Sequence, residues 1–411
     1  MLKKTDTLDN AMQLKKQMEE DYRFLHAHAE TGFSLLKTLV YVEQRLLAMG
    51  YEPKRCGRAG ISVCVGKENE KGGRCILLRA DMDALPIREK TELSCACKQG
   101  NMHACGHDLH TTMLLGAAKL LKDRENQLGG IVKLMFQPAE EILEGAKDMI
   151  SEGILESPRV DCAMMLHVTC NVPWKTGTVI VSSPGISAPA ADFFRITVQG
   201  KACHGSTPWE GVNAISIAAK IVSGLEAMTA NEFPAGEKTV CSIGTIQGGE
   251  GANILAAEVA LEGSLRAFDE NRRRHVKKRL EEISSETAKA FGGEATVLFH
   301  RGCPTLINDE EMSEKTEEYM RNLLGPDMVL TSDELMRSGN GGSGGSEDFA
   351  YVSQEIPSIM VALAAGEAKD GYSYPLHNAK TAFDLSVLPY GCAVYAECAL
   401  RFLQDMGKES K

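Results

Sequence analysis

Side chains of the kinds that bind divalent metals are concentrated in a few short segments of the sequence. One cysteine, three histidines and a glutamate are involved, and together they offer thiolate, imidazole and carboxylate donors. This donor set suits zinc, and manganese, cobalt and nickel are the alternatives. Five ligands exceed one tetrahedral site, so we expect two divalent ions that share a bridging ligand. The candidate ligands are Cys105, His107, Glu141, His167 and His377.

A second carboxylate lies directly beside one of these ligands. Glu140 precedes Glu141 in QPAEE, after Pro138 and the apolar run IVKLMFQ. Adjacent glutamates are usually a solvated face, but the proline and the apolar run favour a site. A carboxylate that binds no metal beside a metal-ligating one is suited to taking a proton from water. Glu140 is therefore the candidate general base.

The elements that must position these residues are short buried strands. The runs CILLRAD (75–81), IVKLMFQ (131–137) and CAMMLHV (162–168) read as strands, and each leads into polar residues of the candidate site. Ligands of open α/β sheets bind at the carboxyl ends of the strands. The segment HACGHD (103–108) opens a helix predicted over 111–125. We expect all these segments to meet at one pocket.

The order of elements predicts two domains. Strands that alternate with helices indicate an α/β domain with a mixed, mostly parallel sheet, after a helical region over 8–50 that is interrupted near 30–32. The pattern β-α-β-β-α-β over about 187–299, with a helix capped by Asp269, indicates an inserted ferredoxin-like α+β domain. The first domain is then built from 1–186 and 300–411.

Composition excludes some classes of partner. The chain has 411 residues, of which 43% are hydrophobic and 25% charged, and a formal net charge of -11, which disfavours nucleic acid and anionic membranes. Near the N-terminus there is no apolar stretch of the kind that directs export, and the thirteen cysteines lie mostly in apolar runs, such as Cys64, Cys162, Cys241 and Cys398. Reduced core thiols, a cytoplasmic location and no membrane span are expected.

The ligand set leaves other interpretations open. A lone Cys-x-His pair is usually structural, and a buried histidine at a strand end is often a satisfied core residue. A Cys-His hydrolase with Cys105 as nucleophile is one alternative, although His107 is too close in sequence to serve easily as its base. A metal-dependent binding or scaffold protein is another. The coincidence of the candidate residues at strand ends favours a metal hydrolase.

Six segments in a fixed order resemble one family. RADMDALP (79–86), HACGHD, QPAEE, LH (166–167), CHGSTPWEGVNAI (203–215) and PLHN (375–378) are similar to segments of the aminoacylase, carboxypeptidase G and hippurate hydrolase family. The Cys-Gly-His form resembles the branch of hippurate hydrolase and the plant indole-3-acetyl-amino-acid hydrolases. The similarity spans about residues 20–400. It implies hydrolysis of N-acyl amino acids, or of small peptides as by a dipeptidase or carboxypeptidase, to a carboxylic acid and an amino acid.

The resemblance also implies roles for particular residues. Cys105 would bridge the metals, with His107 and His167 at one ion and Glu141 and His377 at the other. Glu140 would be the general base. Asp81 would orient a ligand, and Arg79 stands where the wider family has a histidine, as in the branch that this sequence resembles. The inserted domain would act as a lid and form a homodimer. Its proposed residues are His204, which reaches the partner's active site and stabilises the oxyanion, and Asn253 and Arg266, which hold the substrate carboxylate.

Two segments depart from the family pattern. Ile-Leu-Ala-Ala follows Asn253 where the family often has proline, and HAHAE lacks the usual proline before Glu30. Neither departure touches a proposed ligand, so they put the substrate preference in doubt more than the activity.

Overall fold

A computed structural model describes residues 6–67, 74–234, 239–337 and 345–406. Helices and strands alternate through most of this chain. The helices are α1 (Thr7–Gln13), α2 (Lys15–Ala27), α3 (Leu36–Ala48), α4 (His107–Asp123), α5 (Gly145–Ser151), α6 (Ala214–Asn231), α7 (Glu270–Ala290), α8 (Glu310–Leu324), α9 (Ser332–Arg337), α10 (Ala350–Glu355) and α11 (Leu388–Met406). The strands are β1 (Lys54–Cys56), β2 (Gly60–Gly66), β3 (Cys75–Asp81), β4 (Ile131–Gln137), β5 (Cys162–Thr169), β6 (Val179–Val181), β7 (Gly185–Ala188), β8 (Ala190–Gln199), β9 (Thr239–Gly248), β10 (Glu258–Ala267), β11 (Glu294–Cys303), β12 (Leu306–Asn308), β13 (Val329–Thr331) and β14 (Ser358–Ala364).

The described chain divides into two compact units. The first unit contains 6–187, 307–337 and 351–406, and the second contains 188–306 with 345–350. The sequence pattern predicts the second boundary at 299/300. The structure places it after Leu306, because β11 continues pairing with β8 as far as Cys303.

An eight-stranded mixed sheet forms the centre of the first unit. Its strand order is β1-β2-β4-β3-β5-β14-β6-β13. The four inner strands β4, β3, β5 and β14 are mutually parallel, whereas β2 and β6 pair antiparallel with their inner neighbours. The mixed, largely parallel sheet predicted from the sequence is confirmed. Since β3, β4 and β5 run in the same direction, their carboxyl ends lie at one edge of the sheet.

The inner strands are buried on both faces, which explains why their sequences are continuously apolar. All seven residues of β3 and all seven of β4 are buried, and both strands have the bounds that the sequence predicted. The helical region predicted over 8–50 consists of α1, α2 and α3. Helix α4 packs in the same core and begins at His107, four residues earlier than predicted.

The second unit has the predicted order of elements, β8-α6-β9-β10-α7-β11. Its antiparallel sheet has the strand order β11-β8-β10-β9, the ferredoxin-like arrangement. Asp269 caps α7 by accepting a hydrogen bond from the Arg272 N–H at 2.9 Å, as predicted. Apolar residues of α6, α7 and the sheet form a separate core, so this unit has the interior of an independent domain.

All thirteen cysteines are free thiols. Cys162 and Cys398 are buried as expected, but Cys64 is exposed, because it points away from the core on β2. Within the described ranges, no helix combines the length and the apolar character that a bilayer crossing requires.

Candidate metal centre

The five candidate ligands lie together at the carboxyl edge of the large sheet, within the first unit. The donor atoms of Cys105, His107 and His167 lie within 4.8 Å of one another, and so do those of Cys105, Glu141 and His377. The Cys105 Sγ is 3.5 Å from the His167 Nε2 and 3.2 Å from the His377 Nε2. Two groups of three donors therefore share one sulfur atom. We refer to these five residues as the ligand cluster.

Backbone carbonyls fix the orientation of two of the imidazoles. The His107 Nδ1 is 2.8 Å from the Asp83 carbonyl oxygen, and the His167 Nδ1 is 2.7 Å from that of Val168. Because a carbonyl oxygen only accepts hydrogen bonds, each Nδ1 carries the proton and donates it. In the neutral form of each ring, Nε2 is then the unprotonated nitrogen that a metal ligand needs, and it faces the cluster.

Two buried atoms of the cluster make no hydrogen bond of acceptable geometry within the described residues. They are the His107 Nε2 and the Glu141 Oε1, which lie 3.9 Å apart. Burying such atoms without a partner costs about 1–3 kcal/mol each. A cation placed among these donors would satisfy both atoms. The donors present therefore fit divalent metal ions.

The electrostatics of the cluster also favour a cation. Burial raises the pKa of Glu141 to about 7. The neighbouring His107 ring lowers this pKa, whereas the negative charges of Asp83 and Asp81 raise it further. Burial likewise raises the pKa of the Cys105 thiol well above its ordinary value. A bound metal ion reverses this balance, because it stabilises both the carboxylate and the thiolate.

Backbone conformations with a positive φ place ligating residues at this edge of the sheet. Gly106 adopts a left-handed conformation (φ 84°) directly before α4, which places Cys105 before the turn and His107 in the first turn of the helix. His377 also has a positive φ of 61°, which is uncommon for a residue with a Cβ. Its backbone N–H donates to the Ala104 carbonyl at 2.9 Å, so its loop is tied to the Cys105 segment.

A buried polar network supports the cluster from behind. The Asp81 carboxylate contacts the Arg79 Nη1 at 2.7 Å and the His110 Nδ1 at 2.6 Å, and the Arg79 Nε donates to the Gln137 Oε1 at 2.8 Å. The His110 Nε2 accepts the backbone N–H of Val168 at 2.8 Å. Arg79 therefore acts as a buried partner of Asp81.

The network sets the charges of Asp81 and His110. Burial alone would raise the pKa of Asp81, but the His107 ring, Arg79 and His110 outweigh it and hold this pKa well below its ordinary value. Burial lowers the pKa of His110 to about 4, although Asp81 opposes the change. A neutral His110 with its proton on Nδ1 satisfies both of its contacts.

The sequence pattern does not mark His110, Asp83 or Gln137 as site residues. A signal for His110 was present: His107 and His110 are three residues apart and share one helix face once the helix starts at His107. Asp83 follows Asp81 at a strand end, but nothing in the sequence shows which backbone groups its carboxylate meets.

Glu140 is buried beside Glu141 in the turn after β4. Its donor atoms lie within 4.8 Å of those of His107 and Glu141. The residue before it, Ala139, has a positive φ of 56°, which turns the chain sharply after the strand. A buried carboxylate next to the ligand cluster is placed where a general base would be needed.

Three further candidates, His204, Asn253 and Arg266, belong to the second unit. The exposed His204 lies beside Asn253, because the Gly205 N–H donates to the Asn253 carbonyl at 2.7 Å. The guanidinium of Arg266 donates to the Ser346 hydroxyl at 2.6 Å and lies 5.4 Å from the centre of the Phe193 ring. These three residues share one unit, and the ligand cluster belongs to the other.

The family profile described as "Peptidase family M20/M25/M40" matches residues 77–401. Among similar proteins, "Thermostable carboxypeptidase 1" of Saccharolobus solfataricus is 33% identical and covers 92% of this chain and 94% of its own. "N-acetyl-L-cysteine deacetylase" of Bacillus subtilis is 32% identical over 100% and 94% of the two chains. "IAA-amino acid hydrolase ILR1-like 2" of Arabidopsis thaliana is 31% identical over 93% and 84%.

Solved structures with the same fold include two from bacteria. A putative aminohydrolase from methicillin-resistant Staphylococcus aureus superposes with a TM-score of 0.88 at 30% identity, over 97% of this chain and 100% of that one. A Bacillus subtilis protein described as a dinuclear metal-binding peptidase of the M20 family has a TM-score of 0.77 at 28% identity, over 96% and 99%.

Proposed function

Because the chain belongs to peptidase family M20/M25/M40 and is a metal-dependent amidohydrolase, we propose a catalytic or binding role for each candidate residue. We propose that it hydrolyses N-acyl amino acids to a carboxylic acid and an amino acid at a centre of two divalent ions. The observation that carries the proposal is the pair of donor triads that share the Cys105 sulfur.

In this proposal each ion has its own ligands. His107 and His167 would hold one ion, Glu141 and His377 would hold the other, and Cys105 would be shared by both. Thiolate, imidazole and carboxylate donors favour zinc, with manganese, cobalt and nickel as alternatives. When bound, the ions supply Lewis-acid catalysis: they polarise the amide carbonyl and lower the pKa of water to roughly 7.

The chain's own residues move the protons. Glu140 takes a proton from the attacking water molecule, and the oxygen of that water forms a bond to the amide carbon. When the C–N bond breaks, Glu140 passes that proton to the leaving nitrogen, so the products are a carboxylic acid and an amine. Asp81 is assigned to orient a ligand of this centre and does not itself react. Its carboxylate is held by Arg79 and His110 and lies 3.7 Å from the Nε2 of the proposed ligand His107, which supports that role.

The second unit would supply the groups that recognise the substrate. The Arg266 guanidinium matches a carboxylate in shape and charge, so Arg266 and Asn253 are assigned to the substrate carboxylate. His204 is assigned to the oxyanion, where one hydrogen-bond donor contributes about 2.7–4 kcal/mol in comparable sites. Both assignments rest on the family resemblance and on the exposure of His204 in its loop.

We further propose a homodimer in which the second unit forms the interface and His204 serves the partner's active site. Strand β9 is an edge strand of the four-stranded sheet, and its apolar residues Val240 and Ile246 are 52% and 55% exposed. An exposed apolar edge strand is suited to pairing with the same strand of a second copy.

A hydrolysis screen tests the proposed function. Purified protein is reconstituted with Zn²⁺ or with Mn²⁺ and offered N-acetyl, N-benzoyl and indole-3-acetyl amino acids, with dipeptides in parallel. We expect release of the free amino acid from at least one acylated series, and loss of the activity after chelation. Faster cleavage of dipeptides would support the dipeptidase or carboxypeptidase alternative. Turnover that survives complete metal removal would contradict the proposal and favour a cysteine nucleophile.

A further inference from the structure

The two helices of the second unit pack on one face of its sheet, and Phe193 lies on the other face. Phe194 is fully buried in the core with α6 and α7, whereas Phe193, the residue before it on β8, is only partly buried. Successive side chains of a strand point to opposite faces of the sheet. We refer to the face that holds Ala191, Phe193 and Arg195 of β8, with their cross-strand partners, as the Phe193 face.

Two arginines lie around the Phe193 ring on this face. Arg301 of β11 is directly opposite Phe193 in the sheet register, and its guanidinium carbon lies 4.2 Å from the centre of the ring. Arg266 of β10 is opposite Ala191, and its guanidinium carbon lies 5.4 Å from the same centre. Residues directly opposite each other share a face of the sheet. Two positive charges are therefore gathered around one aromatic ring.

Neither guanidinium has a carboxylate partner within the described residues. Arg266 donates to the Ser346 hydroxyl at 2.6 Å, and the exposed Arg301 contacts the aromatic ring. The neighbouring carboxylate on β8, that of Asp192, points to the helix side of the sheet and accepts two hydrogen bonds from Arg273, at 2.6 Å and 2.9 Å. Its charge is therefore balanced on the opposite face.

This arrangement differs from the rest of the face and from the chain as a whole. Arg195, further along the same strand, is paired with Glu262 at 2.9 Å, and the chain has a formal net charge of -11. Burial lowers the pKa of Arg266, and the positive charge of Arg301 lowers it further, although the Cys303 thiol opposes the change. An anion bound beside both guanidiniums would relieve their repulsion, so the pair is suited to binding anions.

We propose that Arg301 is a specificity-determining residue, which binds a second carboxylate of the substrate on the amino acid that is released. The inference rests on the proposed function, in which Arg266 is assigned to the α-carboxylate. Aspartate and glutamate carry a second carboxylate a short carbon chain away from the first, so one substrate can meet two neighbouring guanidiniums. The preferred substrates are then N-acyl derivatives of aspartate and glutamate.

A guanidinium distinguishes a carboxylate from an amide of the same shape. It can form two parallel, charge-assisted hydrogen bonds to a carboxylate. An amide offers one acceptor oxygen, and its NH₂ group faces another donor. A hydrogen bond between charged groups changes affinity about tenfold or more. Because Arg301 is exposed to solvent, we expect an effect of about tenfold.

The test compares the wild type with Arg301→Gln on two matched pairs of substrates. The pairs are N-acyl glutamate with N-acyl glutamine, and N-acyl aspartate with N-acyl asparagine, each with the acyl group that the hydrolysis screen identifies. We expect the wild type to have a kcat/KM about tenfold higher for the acidic member of each pair. Arg301→Gln should lose this preference through a lower kcat/KM for the acidic member, while the value for the amide member stays unchanged.

Two further variants separate charge recognition from a structural role. Arg195→Gln is the matched control, because Arg195 lies on the same face but is paired with Glu262, and it should match the wild type on all substrates. Arg301→Lys keeps the charge and should retain part of the preference. Equal losses of Arg301→Gln on acidic and amide substrates would show a structural role and refute the inference, as would an Arg301→Lys variant with no preference left.

A binding measurement gives a readout without turnover. By calorimetry, we expect the wild type to bind the product glutamate about tenfold more tightly than glutamine, and Arg301→Gln to bind both equally. N-Succinylalanine, whose second carboxylate is on the acyl half, should be hydrolysed equally by the wild type and Arg301→Gln, and a dependence on Arg301 for this substrate alone would contradict the placement. A wild type that hydrolyses N-acyl amino acids without preferring acidic ones would overturn the inference and leave the proposed function intact. A wild type that hydrolyses no N-acyl amino acid would instead overturn the proposed function.

Discussion

The buried imidazole of His26 provides a test of the electrostatics behind the candidate metal centre. His26 lies on α2 with its side chain 2% exposed, between two carboxylates: its Nδ1 is 2.7 Å from the Asp108 Oδ2, and its Nε2 is 3.2 Å from the Glu89 Oε1. Asp108 follows the proposed ligand His107 in the first turn of α4. With an acceptor on each ring nitrogen, both nitrogens must donate, so the ring is a cation.

The size of the effect follows from the shift in pKa. Burial lowers the pKa of His26, but the hydrogen bonds and charges of Asp108 and Glu89 outweigh it and raise the pKa from 6.5 to about 10. At about 1.4 kcal/mol per pKa unit, this shift corresponds to about 4–5 kcal/mol. Removing one partner of a buried ion pair costs a similar amount, about 3–5 kcal/mol.

The sign of the pH dependence is fixed by the direction of the shift. Because the pKa is raised in the folded state, the stabilisation is complete below pH 6.5 and is lost as the pH rises through about 10. Burial would raise the pKa values of both carboxylates, but their neighbours lower them. His103 and His26 lower the pKa of Asp108. His26 and Thr91 lower the pKa of Glu89. Their contribution would be lost only in acid.

The assay is urea unfolding of the wild type and His26→Gln at pH 6 and pH 10. We expect the variant to be less stable by about 3–5 kcal/mol at pH 6, and the difference to shrink to about 1 kcal/mol or less at pH 10. His28→Gln is the matched control, because the His28 Nδ1 bonds the Phe24 carbonyl at 2.7 Å instead of a carboxylate. A difference for His26→Gln that is the same at both pH values would refute the reasoning.

Three further predictions concern the centre itself. Glu140→Gln should keep its metal content while kcat falls about 10²–10⁴-fold, the usual contribution of a positioned base, and near-normal turnover would rule out that role. In Gly106→Ala the new Cβ would lie 2.4 Å from the Val168 Cγ2 at a φ of +84°, so we expect a loss of about 2–4 kcal/mol in unfolding free energy together with weaker metal binding. Gly100→Ala, at a φ of +89° with nothing within 4 Å, separates backbone strain from the clash. Mixing inactive His204→Ala and Glu140→Gln chains should restore a substantial fraction of activity if His204 acts across a dimer, whereas confirmed subunit exchange without recovery would place His204 in its own chain's site.

The fold was predictable where a strand is buried on both faces. Strands β3 and β4 have the predicted bounds, because their apolar runs end abruptly at polar residues of the site. The ferredoxin-like unit was predictable because its strands and helices follow one another locally in sequence. The sequence did not predict β14 as a separate strand. It lies beside β5 at the centre of the sheet, and almost 200 residues separate the two strands in sequence. Sequence pattern alone does not reveal such a pairing.

The start of α4 shows why part of the site was missed. The segment HACGHD precedes the predicted helix, because the apolar spacing begins only at Thr111. In the structure Gly106 reverses the chain and the helix begins at His107, with fourteen of its seventeen residues buried. Burial on every side leaves no amphipathic pattern to mark the first turn. His110 and Asp108, which bond Asp81 and His26, were therefore not assigned to the site.

The number of metal ions bound per chain is the most direct test of the central proposal. The measurement is the metal-to-protein ratio after reconstitution with Zn²⁺ and removal of the excess, made on the wild type and on Cys105→Ser in parallel. The proposed centre predicts two ions per chain for the wild type and fewer for Cys105→Ser, because both donor triads contain the Cys105 sulfur. A ratio that never exceeds one, unchanged in Cys105→Ser, would contradict the shared-cysteine centre.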